Sequence, residues 1–128
     1  MKIAALIVRI LLGLTFLIFG ANGLHPFLPQ PQLPPGLAVQ YIGALFQSHY
    51  AIVPFTVQLV GGILLLANRF VPLALTLLGP VIVNILCFHA FMELGGLPLA
   101  CVVAVLWFVL FYFYRKSFEG LFVQNPSL

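Results

Sequence analysis

Four long apolar runs set the reading of this chain: Ile3–Leu24, Tyr50–Ala67, Val71–Met92 and Leu97–Tyr114. At about 1.5 Å per helical residue they reach about 27–33 Å, the depth of a bilayer's hydrocarbon core at about 30 Å. Polar positions gather between the runs, so the pattern predicts a bundle of four transmembrane helices. Only one connection is long, and it changes character halfway. His25 to Pro35 holds five of the ten prolines and must be extended or irregular. From Gly36 onward, Leu37, Ala38, Tyr41, Ile42, Leu45 and Phe46 repeat at helical spacing. That predicts an outer loop containing a short amphipathic helix, lying in the interface or capping the bundle. Long connections are seldom idle, which makes this one a candidate lid. The connection Asn68-Arg69-Phe70 is short enough for a tight helical hairpin. Pro72 falls in a first turn, where a missing N–H costs little. Pro80 falls mid-helix after Gly79 and should kink its span.

Charge gives the orientation. Lys2, Arg9, Arg69, Arg115 and Lys116 are the only Lys and Arg residues, and four crossings bring all of them to one side. The positive-inside rule then predicts cytoplasmic amino and carboxyl ends, as in a bacterial inner membrane. With 63% hydrophobic and 5% charged residues, the net charge of +3 marks span flanks and gives no nucleic-acid surface. The bilayer itself is the expected partner. The first run is longer than a signal-peptide core and carries Arg9, so it is read as a retained helix. Phe111-Tyr112-Phe113-Tyr114 supplies an aromatic belt at the cytoplasmic interface.

Polar side chains inside spans are the candidates for function. On the first span Arg9, Gly13 and Gly20 share one face, a small-residue face for close packing; Thr15 and Asn22 share another. Arg9 is expected to snorkel toward the cytoplasmic side. Gln58 lies with Gly61, Gly62 and Leu65. Thr76, Pro80, Asn84 and Cys87 line one side of the third span, and His89 and Glu93 nearly the opposite side. Asn84 and His89 are about 140° apart on a regular helix, so they should not meet one small ligand. An amide in lipid lacks partners, which assigns Asn84, Thr76 and Cys87 to the bundle interior and His89 to the cap. The candidate ligand set is Asn22, Gln58, Asn84 and His89, with His25, His49 and Glu93 forming an outer-surface cluster. Imidazoles so placed suit a haem or a metal, but their spacing matches no specific motif and no metal site is assigned. An apolar cavity under the 25–49 loop would equally suit a quinone. Cys87 and Cys101 form no CxxC pair. They are either core residues or, at similar depth in adjacent spans, a bridge.

The stretch from Arg9 through Gly13, Gly20 and Asn22 to Leu24 resembles the first span of the DoxX-like family of small integral membrane proteins. So do Val57 to Pro72, with paired Gly61 and Gly62, and Leu78-Gly79-Pro80 through Asn84 and His89 to Phe91. The likeness runs from about Lys2 to Phe118. Two positions depart from the family: Gly23 stands where members often carry a Lys, and Gln58 where many carry a Glu. With both charges gone, no ionic or proton-handling role carries over to these positions. The resemblance implies one membrane domain over residues 1–128. It also implies an accessory or ligand-binding component of a sulfur- or quinone-linked membrane redox system, with redox partner proteins. The alternatives are a non-catalytic scaffold and a small-solute carrier, though no inverted repeat supports a carrier.

Overall fold

Glycine decides how these helices meet. In the computed structural model, which describes all 128 residues, the chain is all-helical: α1 (Lys2–Leu24), α2 (Leu37–Gln47), α3 (Ile52–Leu66), α4 (Val71–Phe91) and α5 (Leu97–Tyr114). Short 3₁₀ helices at Leu94–Gly96 and Arg115–Phe122 follow α4 and α5. The main helices close into a ring, with α1 on α3, α3 on α4, α4 on α5 and α5 back on α1. The most extensive of these contacts is α1 on α3, because Gly20 and Gly62 let the backbones touch. A Cβ at Gly20 would stand 2.6 Å from the Leu59 nitrogen, and one at Gly62 would stand 2.5 Å from the Leu17 nitrogen. Gly61 gives the other side of α3 to Leu78 of α4. Small residues of this kind are what allow close packing where no water drives helices together.

That contact fixes the register in which Arg9 finds its partners. Arg9 is only 8% exposed; its guanidinium donates to the carbonyl of Leu65 and, at 3.4 Å, to that of Leu66. These carbonyls belong to the last turn of α3, where backbone acceptors lack helical partners and the helix dipole favours a cation. Arg9 is thus packed against the carboxyl end of α3 while still lining a cleft with Lys2. The sealed interior is apolar, with Leu12, Phe16, Leu65, Ala74, Leu75, Leu78 and Leu110 nearly inaccessible. Trp107 of α5 donates its indole N–H to the Leu75 carbonyl at 2.9 Å and lies over Gly79. The α4 helix continues through Pro80 to Phe91.

Outside this interior the surface is apolar too. Ile7, Leu11 and Ile18 of α1, Val83 of α4, and Val102, Val105 and Phe108 of α5 are all exposed. So continuous an apolar exterior is not that of a monomer in water, and it is compatible with an integral membrane protein. Three helical segments are long and apolar enough to cross a bilayer, or four if α2 and α3 count as one bent span. The run Tyr50–Ala67 contracts on folding to the 15 residues of α3. His49 takes a left-handed conformation (φ 63°), and the chain bends by 84° between α2 and α3.

A second expectation is corrected on α4. Thr76, Asn84 and Cys87 are exposed on the outside of the bundle. The inward face consists of Val71, Ala74, Leu75, Leu78, Val81 and Ile82, whose burial outweighs that of one amide. The outward polar groups bond back along their own helix: the Thr76 hydroxyl donates to the Pro72 carbonyl at 2.9 Å, and the Asn84 amide to the Pro80 carbonyl at 3.1 Å. Such i−4 back-bonding is open to short polar side chains in helices.

Candidate functional site

The amphipathic stripe of α2 does not enter the core; only Ala38 is buried. The helix is held instead by two aromatic contacts. Tyr41 meets Phe88 of α4 with ring centroids 5.5 Å apart, and Phe46 meets Phe55 of α3 at 5.8 Å. Tyr41 thereby closes over the carboxyl-terminal end of α4. A pocket of about 140 Å³ forms there, lined by Tyr41, Asn84, Cys87, Phe88, Phe91 and Met92. Five of the six come from α4 or its C-cap, Met92, at spacings i, i+3, i+4, i+7 and i+8 from Asn84, which is one helix face. One N–H of Asn84 goes to Pro80. Its second N–H and its carbonyl oxygen remain free for a ligand, as does the Tyr41 hydroxyl. Both cysteines are free thiols, so no bridge forms, and Cys87 faces this pocket.

The other candidate residues go elsewhere. Asn22 is used in the fold: its side-chain oxygen accepts from the backbone N–H groups of Phe27 at 3.0 Å and Leu28 at 2.9 Å, turning the chain out of α1 into the proline-rich segment. Gln58 is buried, 6% exposed, on the face of α3 that it shares with Gly61, Gly62 and Leu65, away from the pocket. His25 caps α1 in an extended conformation, and His49 forms the bend before α3. No three His, Cys, Asp or Glu side chains converge to hold a metal ion, and neither His25 nor His49 makes a side-chain hydrogen bond to the Glu93 carboxylate, which bonds to His89, Gly95 and Gly96.

His89 and Glu93 do meet, in a latch at the α4–α5 turn. The His89 Nδ1–H lies 3.0 Å from the Glu93 carboxylate and 3.0 Å from its backbone carbonyl. That carboxylate also accepts from the N–H groups of Gly95 at 2.8 Å and Gly96 at 3.0 Å, capping the 3₁₀ turn. The imidazole sits so closely on Gly96 that a Cβ there would be 2.1 Å from the ring. Partial burial raises the Glu93 pKa, but the Gly96 and Gly95 amides and the His89 ring outweigh it and hold the carboxyl below its ordinary value. The Glu93 carboxylate and the His89 Nδ1–H are thus engaged within the turn, and His89 does not line the Tyr41–Asn84 pocket.

The pocket's aromatic members escape a search of the sequence for polar residues in spans. Phe88, Phe91 and Met92 read as ordinary apolar positions, and Tyr41 as part of the α2 stripe. The signal that could have found them is the phase of Asn84, which Cys87, Phe88 and Phe91 share. The chain matches no family model, no curated protein and no solved structure.

Proposed function

We propose that this protein is a DoxX-like membrane protein of the bacterial inner membrane. In this reading it crosses the bilayer four times with both termini cytoplasmic, and it holds the ring of a quinone-type, lipid-soluble molecule between α2 and α4. It would serve as the ligand-binding component of a membrane redox system whose electron-transferring centres lie in partner proteins. The observation that carries the reading is the gathering of Tyr41, Asn84 and Cys87 around a small pocket otherwise walled by Phe88, Phe91 and Met92. Drug-sized ligands occupy about 300–1,000 Å³. A pocket of about 140 Å³ therefore suits one ring, with the isoprenoid tail left in the lipid. A quinone carbonyl accepts hydrogen bonds, and the Asn84 N–H and Tyr41 O–H are the donors offered. The α2 helix, at 84° to α3, lies along the membrane surface when α3 crosses it, as an interfacial lid does.

The test is binding of a short-chain ubiquinone analogue to the detergent-purified protein, followed by calorimetry, with Asn84→Leu and Tyr41→Phe as variants. Because Asn84 is outside the core, Asn84→Leu should leave the unfolding midpoint of the free protein within a degree or two. It should weaken binding about tenfold, one lost hydrogen bond of about 1–1.5 kcal/mol. No binding by the wild type, or equal binding by both variants, would overturn the reading. The polar stripe Thr76, Asn84 and Cys87 also favours a second reading, a scaffold whose α4 packs on a partner helix. Disulfide cross-linking through Cys87 in native membranes would support that one.

A further inference from the structure

A different cleft opens at the other end of the bundle, and helix length creates it. α1 has 23 residues and α3 has 15, about 34 Å against about 22 Å. Arg9 bonds to Leu65 at the carboxyl end of α3, so the first two turns of α1 project beyond α3. The α3–α4 turn lies recessed beneath them. The space left is about 340 Å³ and is lined by Lys2, Ala5, Leu6, Arg9, Asn68 and Tyr114. Its polar groups are an ammonium, a guanidinium, an amide and a phenol, all hydrogen-bond donors, with no carboxylate among them.

Arg9 is the reason to read this as a site. It is more than nine-tenths buried, yet its hydrogen bonds use Nη1 alone. A guanidinium has five N–H donors. No buried side-chain nitrogen in the protein lacks a partner, so the remaining donors of Arg9 open onto the cleft it lines. Arg9 forms no ion pair either, and Glu119, in the 3₁₀ helix after Tyr114, does not line the cleft. The single ion pair of the chain, His89–Glu93, lies at the opposite end of α4. Arg69 and Arg115 neighbour Asn68 and Tyr114 in sequence and add to the positive field.

We propose that this cleft binds a phosphate anion, namely the headgroup phosphate of an anionic phospholipid in the cytoplasmic leaflet. The guanidinium fork matches phosphate oxygens in pairs, and Lys2, two turns above it, meets the headgroup from the surface. Ala5 and Leu6 give the glycerol and upper acyl chain an apolar wall. Basic pockets between transmembrane helices on the cytoplasmic side take such headgroups. The proposal rests on the membrane-crossing part of the functional reading and is independent of the quinone pocket.

The experiment measures the thermal unfolding midpoint of the protein in neutral detergent against rising dioctanoyl phosphatidylglycerol, dioctanoyl phosphatidylcholine or inorganic phosphate; a ligand of the folded state raises the midpoint. Phosphatidylglycerol should raise it at concentrations about fivefold or more below those needed for phosphatidylcholine. Inorganic phosphate should do little. Arg9 also holds α3, so the variants are Lys2→Gln and Tyr114→Phe, which should keep the lipid-free midpoint and weaken the lipid response. The loss should be about fivefold for Lys2→Gln, as the worth of one cation near an anionic surface, and about fivefold for Tyr114→Phe, as the loss of one neutral hydrogen bond. Lys116→Gln, a cation outside the cleft, should respond as the wild type does. Equal responses to the two lipids would overturn the proposal. So would a loss for Lys116→Gln equal to that for Lys2→Gln, since a diffuse field would then suffice. A full response to inorganic phosphate would overturn the lipid assignment and leave a free-phosphate site. Alkaline carbonate extraction of native membranes tests the crossing separately, because release of the chain would end that reading without altering the titration.

Discussion

Adding one methyl group at Gly20 or Gly62 should cost this bundle about as much as the mildest truncations of a buried leucine, about 2 kcal/mol. A Cβ at Gly20 would lie 2.6 Å from the Leu59 nitrogen and 2.9 Å from its Cα; at Gly62 it would lie 2.5 Å from the Leu17 nitrogen and 2.9 Å from the Gly13 oxygen. Ordinary contact begins at 3.4 Å, so α1 and α3 must separate by roughly 0.8–0.9 Å along that line. The obstacles are backbone atoms, which no rotamer change can move aside. A radial gap of 0.5–1 Å forfeits about a quarter to a half of each dispersion contact, and overpacking costs about 1–3 kcal/mol. Against this, Ala gains up to about 1 kcal/mol of helix propensity over Gly. The same separation draws Arg9 from the Leu65 carbonyl, a charge-assisted bond worth about 1.5–3 kcal/mol when fully lost. A net loss of about 2 kcal/mol is expected for each of Gly20→Ala and Gly62→Ala.

The assay is reversible unfolding in mixed detergent micelles, with Gly79→Ala and Gly43→Ala as controls. A Cβ at Gly79 would meet Trp107 at 3.6 Å and one at Gly43 would meet Gln47 at 3.9 Å, so both should be neutral or slightly stabilising. Gly13→Ala should fall between, because its nearest neighbour is the Leu66 side chain, which can shift. If Gly79→Ala were as harmful as Gly20→Ala, helix flexibility rather than backbone contact would govern the interface. A neutral Gly62→Ala would refute the packing directly.

The His89–Glu93 latch should show a pH dependence of definite sign. The folded pKa of Glu93 lies below its ordinary 4.5, so its stabilisation is fully present above about 4.5 and fades as the pH falls through the lower folded value. Amide exchange of Gly95 and Gly96 should accelerate in that acidic window in the wild type and be fast throughout in Glu93→Gln; a wild-type turn unchanged at acidic pH would contradict the cap. For topology, a maleimide applied from outside should label Gln32→Cys and spare Asn68→Cys in a background lacking Cys87 and Cys101. The opposite pattern would invert the orientation, and labelling of both would change the number of crossings.

Which parts of this architecture were legible in the sequence follows from the range of the interactions involved. Helix existence rests on local apolar runs, and α1, α4 and α5 lie where the runs lie. The small-residue face of Arg9, Gly13 and Gly20 was visible by helical phase alone, since it belongs to one helix. Its consequence was not, because Arg9 meets Leu65 only through a register between segments more than fifty residues apart. Asn84 misled for another reason. An amide was assigned to the interior on the premise that lipid offers it no partner, whereas the carbonyl of Pro80, one turn back on its own helix, serves as one. His89 and Glu93, at i and i+4, were a local pair and were found as such.

The two candidate sites have a common origin in that register. At the carboxyl end of α1, Gly20 faces Leu59 and Phe55, and Gly23 faces the Phe55 ring, so α1 and α3 are level there. The whole shortfall of α3, about 12 Å, is therefore displaced to the Lys2 end, where it becomes the cationic cleft. Level helix ends on the other side leave no recess, so the chain entering α3 must lie across the bundle end. It does so as α2, whose Phe46 rests on Phe55 and whose Tyr41 reaches Phe88. A shift of α1 by one turn along α3 would place Gly13 or Gly20 against different residues, unpair Arg9 and change the depth of the cleft together. The glycine contacts thus hold in place both the cleft at one end and the aromatic contacts of α2 at the other, which is why the Gly20 and Gly62 variants should weaken any binding at the two proposed sites along with stability.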